Sequence, residues 1–249
     1  MTAPLGVQLY SVRESMAKDF EGTVREIAKM GYTGVEPAGF PEGVTPEQAK
    51  KLFDELGLTV TSAHSPMPLG ENKQNVLDTM AAIECPHLVC PWIDPAYFSS
   101  KDKMKELAEI LNQANEIAIK HGMKFSYHNH DFEYALLDGS PAIYTLQEYL
   151  NESIGFELDT YWIQVAGQDP AKVTARFGER SPLLHIKDGP GNRKADMTAV
   201  GDGVVDVPAI IRAGKPYTKW LIVELDRCAT DKIEAVAKSY KYLAEITKE

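Results

Sequence analysis

Gly6-Val7-Gln8-Leu9-Tyr10-Ser11-Val12-Arg13 decides the architecture through the residues that end its apolar run. In a doubly wound open sheet the first strand runs into a Gly-rich phosphate turn; here Tyr10-Ser11-Val12-Arg13 stands in that place, with no GxGxxG. Outward from this segment, β-rich stretches alternate with amphipathic ones to the end of the chain, the pattern of βα units on a parallel sheet. Strands are expected over residues 6–11, 33–36, 59–64, 87–90, 124–128, 154–159, 183–187 and 220–224. Eight units without the phosphate turn predict a closed (β/α)8 TIM barrel.

Helix signals fall where the alternation needs them. Thr45-Pro46-Glu47-Gln48 combines a capping Thr, Pro at the first helical position and Gln three residues after the cap, and Gly57 ends the helix. Ser140-Pro141, Asp169-Pro170 and Asp206 before Pro208 are read as similar starts. Gly122 and Gly178 are read as stops after helices over 100–121 and 171–177. No Pro/Ser-rich linker interrupts the repeat, so residues 1–249 are expected to form one barrel domain.

Composition narrows the function classes. With 44% hydrophobic and 25% charged residues the chain can bury a core and is not of the disordered class. A formal charge of -10 without a basic run disfavours nucleic acid and anionic membranes as partners. The start lacks a basic segment followed by an apolar core, and no apolar run approaches a membrane span, so the protein is expected to be soluble and cytoplasmic. Cys85, Cys90 and Cys228 show no CxxC spacing and are expected as reduced, buried thiols.

In a (β/α)8 barrel the chemistry gathers at the C-terminal strand ends. Those ends carry Glu36, His64, His128 with His130, Asp159, His185 and Glu224. Several follow apolar runs, as in Leu183-Leu184-His185 and Leu221-Ile222-Val223-Glu224, where an ionisable group is costly unless it is paired or binds a cation. One such residue means little; His128, Asp159, His185 and Glu224, from the last four strands at equivalent depth, predict a site for one divalent ion. Mixed imidazole and carboxylate donors suit Zn, Mn or Co, while Mg prefers more oxygen. By strand alternation Glu157 and Lys187 also point inward, either to pair with each other or to bind substrate oxygens. Glu36 and His64 are read as pocket-floor residues. Tyr10 and Trp162 are candidates for an apolar wall against a sugar ring, or for plain packing.

A family resemblance rests on ordered pieces: Gly6 to Arg13, Gly34-Val35-Glu36, Tyr127-His128-Asn129-His130-Asp131-Phe132-Glu133, Glu157-Leu158-Asp159, His185-Ile186-Lys187-Asp188 and Val223-Glu224-Leu225-Asp226. Together they resemble the xylose-isomerase-like barrels grouped as sugar phosphate isomerases/epimerases. The resemblance implies one divalent ion held by Glu, Asp, His and Glu from the last four strands. It carries three of these positions onto Asp159, His185 and Glu224. The fourth departs, since the fifth strand offers His128 and His130 in place of Glu. The resemblance aligns His128 with the ligand and leaves His130 as the pocket-facing proton carrier; the reverse assignment is the alternative.

The expected function is a divalent-metal-dependent (Mn, Zn, Co or Mg) isomerase, epimerase or lyase working through an enediolate on a small keto-sugar or keto-inositol. The ion would polarise the carbonyl, a His of near-neutral pKa would remove the adjacent proton, and Glu224 is a second proton carrier. The rivals are a metal-dependent hydrolase, including the endonuclease branch, and a sugar-binding barrel without turnover. His128-Asn129-His130 does not have the dispersed pattern of a nuclease HNH. The HxH pair of amidohydrolase barrels comes after the first strand, whereas this one comes after the fifth. The expected partner is a small sugar or polyol, and the sequence leaves a homo-oligomer open.

Overall fold

The computed structural model describes residues 3–248. Its strands are β1 (Leu5–Gln8), β2 (Gly34–Glu36), β3 (Thr59–Val60), β4 (Ala63–His64), β5 (His87–Cys90), β6 (Lys124–His128), β7 (Ile154–Asp159), β8 (Leu183–Ile186) and β9 (Trp220–Val223). They pair in parallel in the order β3-β2-β1-β9-β8-β7-β6-β5-β4, so that the first strand lies against the last, the closure expected of a TIM barrel.

The third expected strand, over 59–64, is split into β3 on β2 and β4 on β5. Between the halves, Thr61 Oγ1 donates to Val35 O at 3.2 Å and lies 3.0 Å from Ser62 Oγ. Hydroxyls that bond locally interrupt a regular ladder, yet Thr61 N still donates to Val35 O and Ser65 N to Val89 O. The ring is therefore nearly closed, with one segment bridging its two ends.

Eight longer helices wrap the strands: α1 (Phe20–Met30), α2 (Pro46–Glu55), α3 (Lys73–Ala82), α4 (Lys101–Lys120), α5 (Ala142–Tyr149), α6 (Pro170–Phe177), α7 (Val207–Gly214) and α8 (Lys232–Ile246). Thr45 and Gln48 form the reciprocal capping box of α2, and Asp169 and Asp206 cap α6 and α7. Ser140 does not act as expected. It pairs with Leu137 in a small ladder, and Pro141 precedes α5 without a side-chain cap.

Strand residues alternate between two environments. The outward set, including Val7, Val35 and Leu88, joins the main core under the helices. The inward set near the N-terminal ends is a small separate cluster of Val89, Leu183 and Ile222, with Trp220 packed on it. Gly34 makes room for that ring: a Cβ there would lie 2.6 Å from Trp220 Cζ3 and 2.4 Å from Thr61 Cγ2. Apolar residues thus floor the barrel, and the polar strand ends rest above them. Cys85 and Cys90 are buried, with burial pushing both thiols up to about 12; Cys228 is half-buried. Among the described residues no helix is long and apolar enough to cross a membrane.

Candidate active site

The ladder register sets which polar side chains share the barrel interior. Asp159 lies beside His185, while His128 lies beside Glu157, two residues earlier on β7. Glu224 comes directly after Val223, the partner of Ile186. The four residues expected at equal depth are therefore staggered along the ladder. Strands tilted to the barrel axis bring residues of unequal register to one height, and ligand atoms of His128, Asp159, His185 and Glu224 all lie within 4.8 Å of one another. A second such group, His64, His128, Glu157 and His185, shares both central imidazoles.

These side chains form one buried ionic network. Glu157 Oε2 lies 2.6 Å from His64 Nε2, 2.9 Å from His128 Nδ1 and 3.2 Å from His185 Nε2. His185 reaches Glu36 Oε2 through Nε2 at 2.6 Å and Glu224 Oε2 through Nδ1 at 2.7 Å. Lys187 Nζ sits 2.8 Å from Asp159 Oδ2, 2.7 Å from Glu224 Oε2 and 2.9 Å from Asp226 Oδ2. Glu157 and Lys187 both face inward, but they pair with different partners and not with each other.

Burial alone would depress the His185 imidazole, but Glu157, Glu224 and Glu36 hold it well above its usual range. Burial likewise opposes the charge on Lys187, and Asp159, Asp226 and Glu224 hold it well up. For Asp159, burial outweighs the Lys187 ammonium and pushes the carboxyl up to about 6. His128, by contrast, is pushed well down by burial.

The donor set fits a divalent cation. Glu36 Oε1 and Glu157 Oε1 are buried without a hydrogen-bond donor among the described residues, which leaves acceptor capacity inside the network. Mixed imidazole and carboxylate donors converge at ligand-forming separations, and Lys187 already bridges two of the carboxylates.

A cavity of about 780 Å3 opens over the network, lined on the chemical side by His64, His128, His130, Glu224 and Asp226. His130 projects from the loop after β6, its ring stacked against Phe132 at 5.7 Å and 5.2 Å from the ring of His128. Burial, then the Lys187 ammonium, push its imidazole down to about 4, below the near-neutral value expected from sequence. Its Nδ1 has no hydrogen-bond partner among the described residues, with Glu133 Oε1 4.0 Å away.

Tyr10 lines the cavity from the turn after β1. Trp162 is not among the lining residues: it is buried, with its ring 6.2 Å from that of His130 and 5.8 Å from Lys187 Nζ, which corresponds to the packing alternative of its two readings. Glu36, Glu157 and Lys187 lie beneath the cavity in the network.

Three residues near the site received no role from sequence. Gln8 donates to Glu36 Oε2 at 2.8 Å, and Asp226 accepts from Lys187. Both were accessible through alternation, since Gln8 ends an apolar strand and Asp226 stands two after Glu224. Trp92 lines the cavity from the loop after β5, and no periodic signal marks it.

A family model described as a xylose isomerase-like TIM barrel matches residues 24–246. The chain is 24% identical to an inosose dehydratase of Clostridium beijerinckii, over 92% of this chain and 90% of that one. It is 27% identical to a sugar phosphate isomerase/epimerase from Parabacteroides distasonis of known structure, with a TM-score of 0.82 and coverage of 98% and 94%. The probable 3-DHS dehydratase involved in petrobactin synthesis from Bacillus anthracis shares the fold at 13% identity and a TM-score of 0.76, covering 97% and 98%.

Proposed function

This chain belongs to the xylose isomerase-like TIM barrel family, and from that premise we propose a divalent-metal-dependent isomerase, epimerase or lyase acting beside the carbonyl of a small keto-sugar or keto-inositol. The observation that carries the reading is the convergence of His128, Asp159, His185 and Glu224 under a cavity that His130 also lines. These four residues would hold the ion, Mn, Zn, Co or Mg. A bound divalent ion supplies Lewis acidity, which lowers the cost of negative charge on a carbonyl oxygen when the neighbouring C–H bond breaks.

The chain's own residues do the rest. Neutral His130, whose ring lines the cavity, accepts the proton from the carbon beside the carbonyl. Glu224, on the same wall, is the second group able to carry a proton. Lys187 keeps Asp159 and Glu224 oriented, and His64 and Asp226 offer hydrogen bonds to substrate hydroxyls. Likeness to inosose dehydratases supports loss of a neighbouring hydroxyl as water as the fate of the deprotonated ketone.

The test is metal analysis of the purified protein, then incubation with keto-sugars and keto-inositols in deuterated water. Metal-loaded protein should place deuterium beside the carbonyl or release water from the substrate. Metal-loaded protein that does neither with any ketone of the panel sinks the reading.

A further inference from the structure

Resting on that reading, we propose that the cavity takes a neutral, unphosphorylated sugar ring bearing a second ring, and that Trp92 is the platform on which the second ring stacks. The size of the space is the first reason. At about 780 Å3 the cavity falls high in the ~300–1,000 Å3 range of whole ligand sites, more than one polyol ring requires.

Its chemistry is the second reason. Its lining includes an apolar set, Pro66, Met67, Leu69, Pro91 and Trp92. Trp92 is 57% exposed and lines the cavity, so its ring is open to a ligand seated there. The flat face of a second ring gains contact area and loses no hydrogen bonds there.

The exclusion of phosphate comes from the charges. No Lys or Arg among the described residues lines the cavity, whereas Glu224 and Asp226 do. Lys187 is buried among three carboxylates. The Arg13 guanidinium, next to Tyr10, donates to Tyr10 O at 2.8 Å and to Asp226 O at 3.2 Å and stacks 3.9 Å over the Tyr10 ring. Beyond the proposed ion itself, a phosphate dianion would meet carboxylates and no free cationic side chain among the described lining residues.

Calorimetry on the metal-loaded protein tests both halves, using phenyl and methyl pyranosides of the common hexoses, glucose and glucose 6-phosphate. At least one phenyl glycoside should bind about tenfold or more tighter than its methyl counterpart, from burial and stacking of the added ring. Trp92→Ala should bring that ratio to within about twofold, and Trp92→Phe should keep most of it. Glucose 6-phosphate should bind more weakly than glucose.

Equal affinity for phenyl and methyl glycosides, a ratio unmoved in folded Trp92→Ala, or tighter binding of the phosphate ester overturns the proposal. Because binding is read without turnover, failed deuterium exchange with the phenyl preference intact would count against the catalytic reading alone.

Discussion

Asp159 and Glu224 share one ammonium with Asp226, and the same two carboxylates belong to the proposed metal tetrad. Asp159→Asn, His185→Ala and Glu224→Gln should each weaken metal binding at least tenfold while circular dichroism reports a folded barrel. Full metal content by elemental analysis in all three variants would remove the site. The two histidines, His128 ending β6 and His130 just after it, both line the cavity but differ in partners: His128 contacts Glu157 in the network, whereas His130 Nδ1 has no partner among the described residues. His128→Ala should therefore lose the ion. His130→Gln should keep it and lose deuterium exchange by about a hundredfold or more, the usual cost of removing a general base. The opposite pair of outcomes reverses the assignment.

At the scale of elements, the floor of the barrel depends on close approach between β2 and the Trp220 ring of β9. Gly34→Ala puts a methyl within 2.6 Å of Trp220 Cζ3, an atom of a rigid ring that cannot swing aside as a flexible chain would. Urea unfolding should show a loss of about 1–3 kcal/mol, the usual cost of overpacking. An unchanged midpoint and slope would mean that the floor yields freely. The loop after β8 depends on one carboxylate: Asp188 accepts from the backbone N–H groups of Gly189, Gly201, Gly203 and Val205. That hub orders the segment between Lys187 and α7, so the cationic end of β8 leads into fixed backbone.

For the whole molecule, the pH response of stability has a legible contributor outside the site. His87 is buried near the N-terminal end of the barrel with Nε2 2.7 Å from Ser126 Oγ, and burial pushes its imidazole down to about 4. The unfolded chain binds a proton near 6.5, so this contribution is present above that value and erodes as pH falls toward 4. It amounts to on the order of 3 kcal/mol, and His87→Gln should flatten urea-measured stability against pH in this window. An identical slope in the variant would assign the acid response elsewhere. The charge of -10 bears on partners in the same global way. No appreciable duplex DNA binding is expected at physiological salt, and tight salt-sensitive binding would restore the endonuclease alternative.

By itself the sequence determined the alternation of strands and helices and which ionisable groups stand at the strand ends, though not every boundary: the first strand stops at Gln8 and Ser140 does not start a helix. Those signals are local, carried by alternation, by the Thr45–Gln48 cap and by Gly57, and they need no knowledge of neighbours in space. The break of the third strand at Thr61-Ser62 was hidden, because hydroxyls bonding sideways leave no trace in hydropathy. The partners inside the barrel were decided by tertiary structure alone. Glu36 and His185 meet across 149 residues of chain, and Lys187 turns to Asp159, Glu224 and Asp226 and leaves Glu157 to the imidazoles. Strand tilt and closure of the ring set those pairings and the place of Trp92 on the cavity wall, and neither is a property of any local stretch of residues.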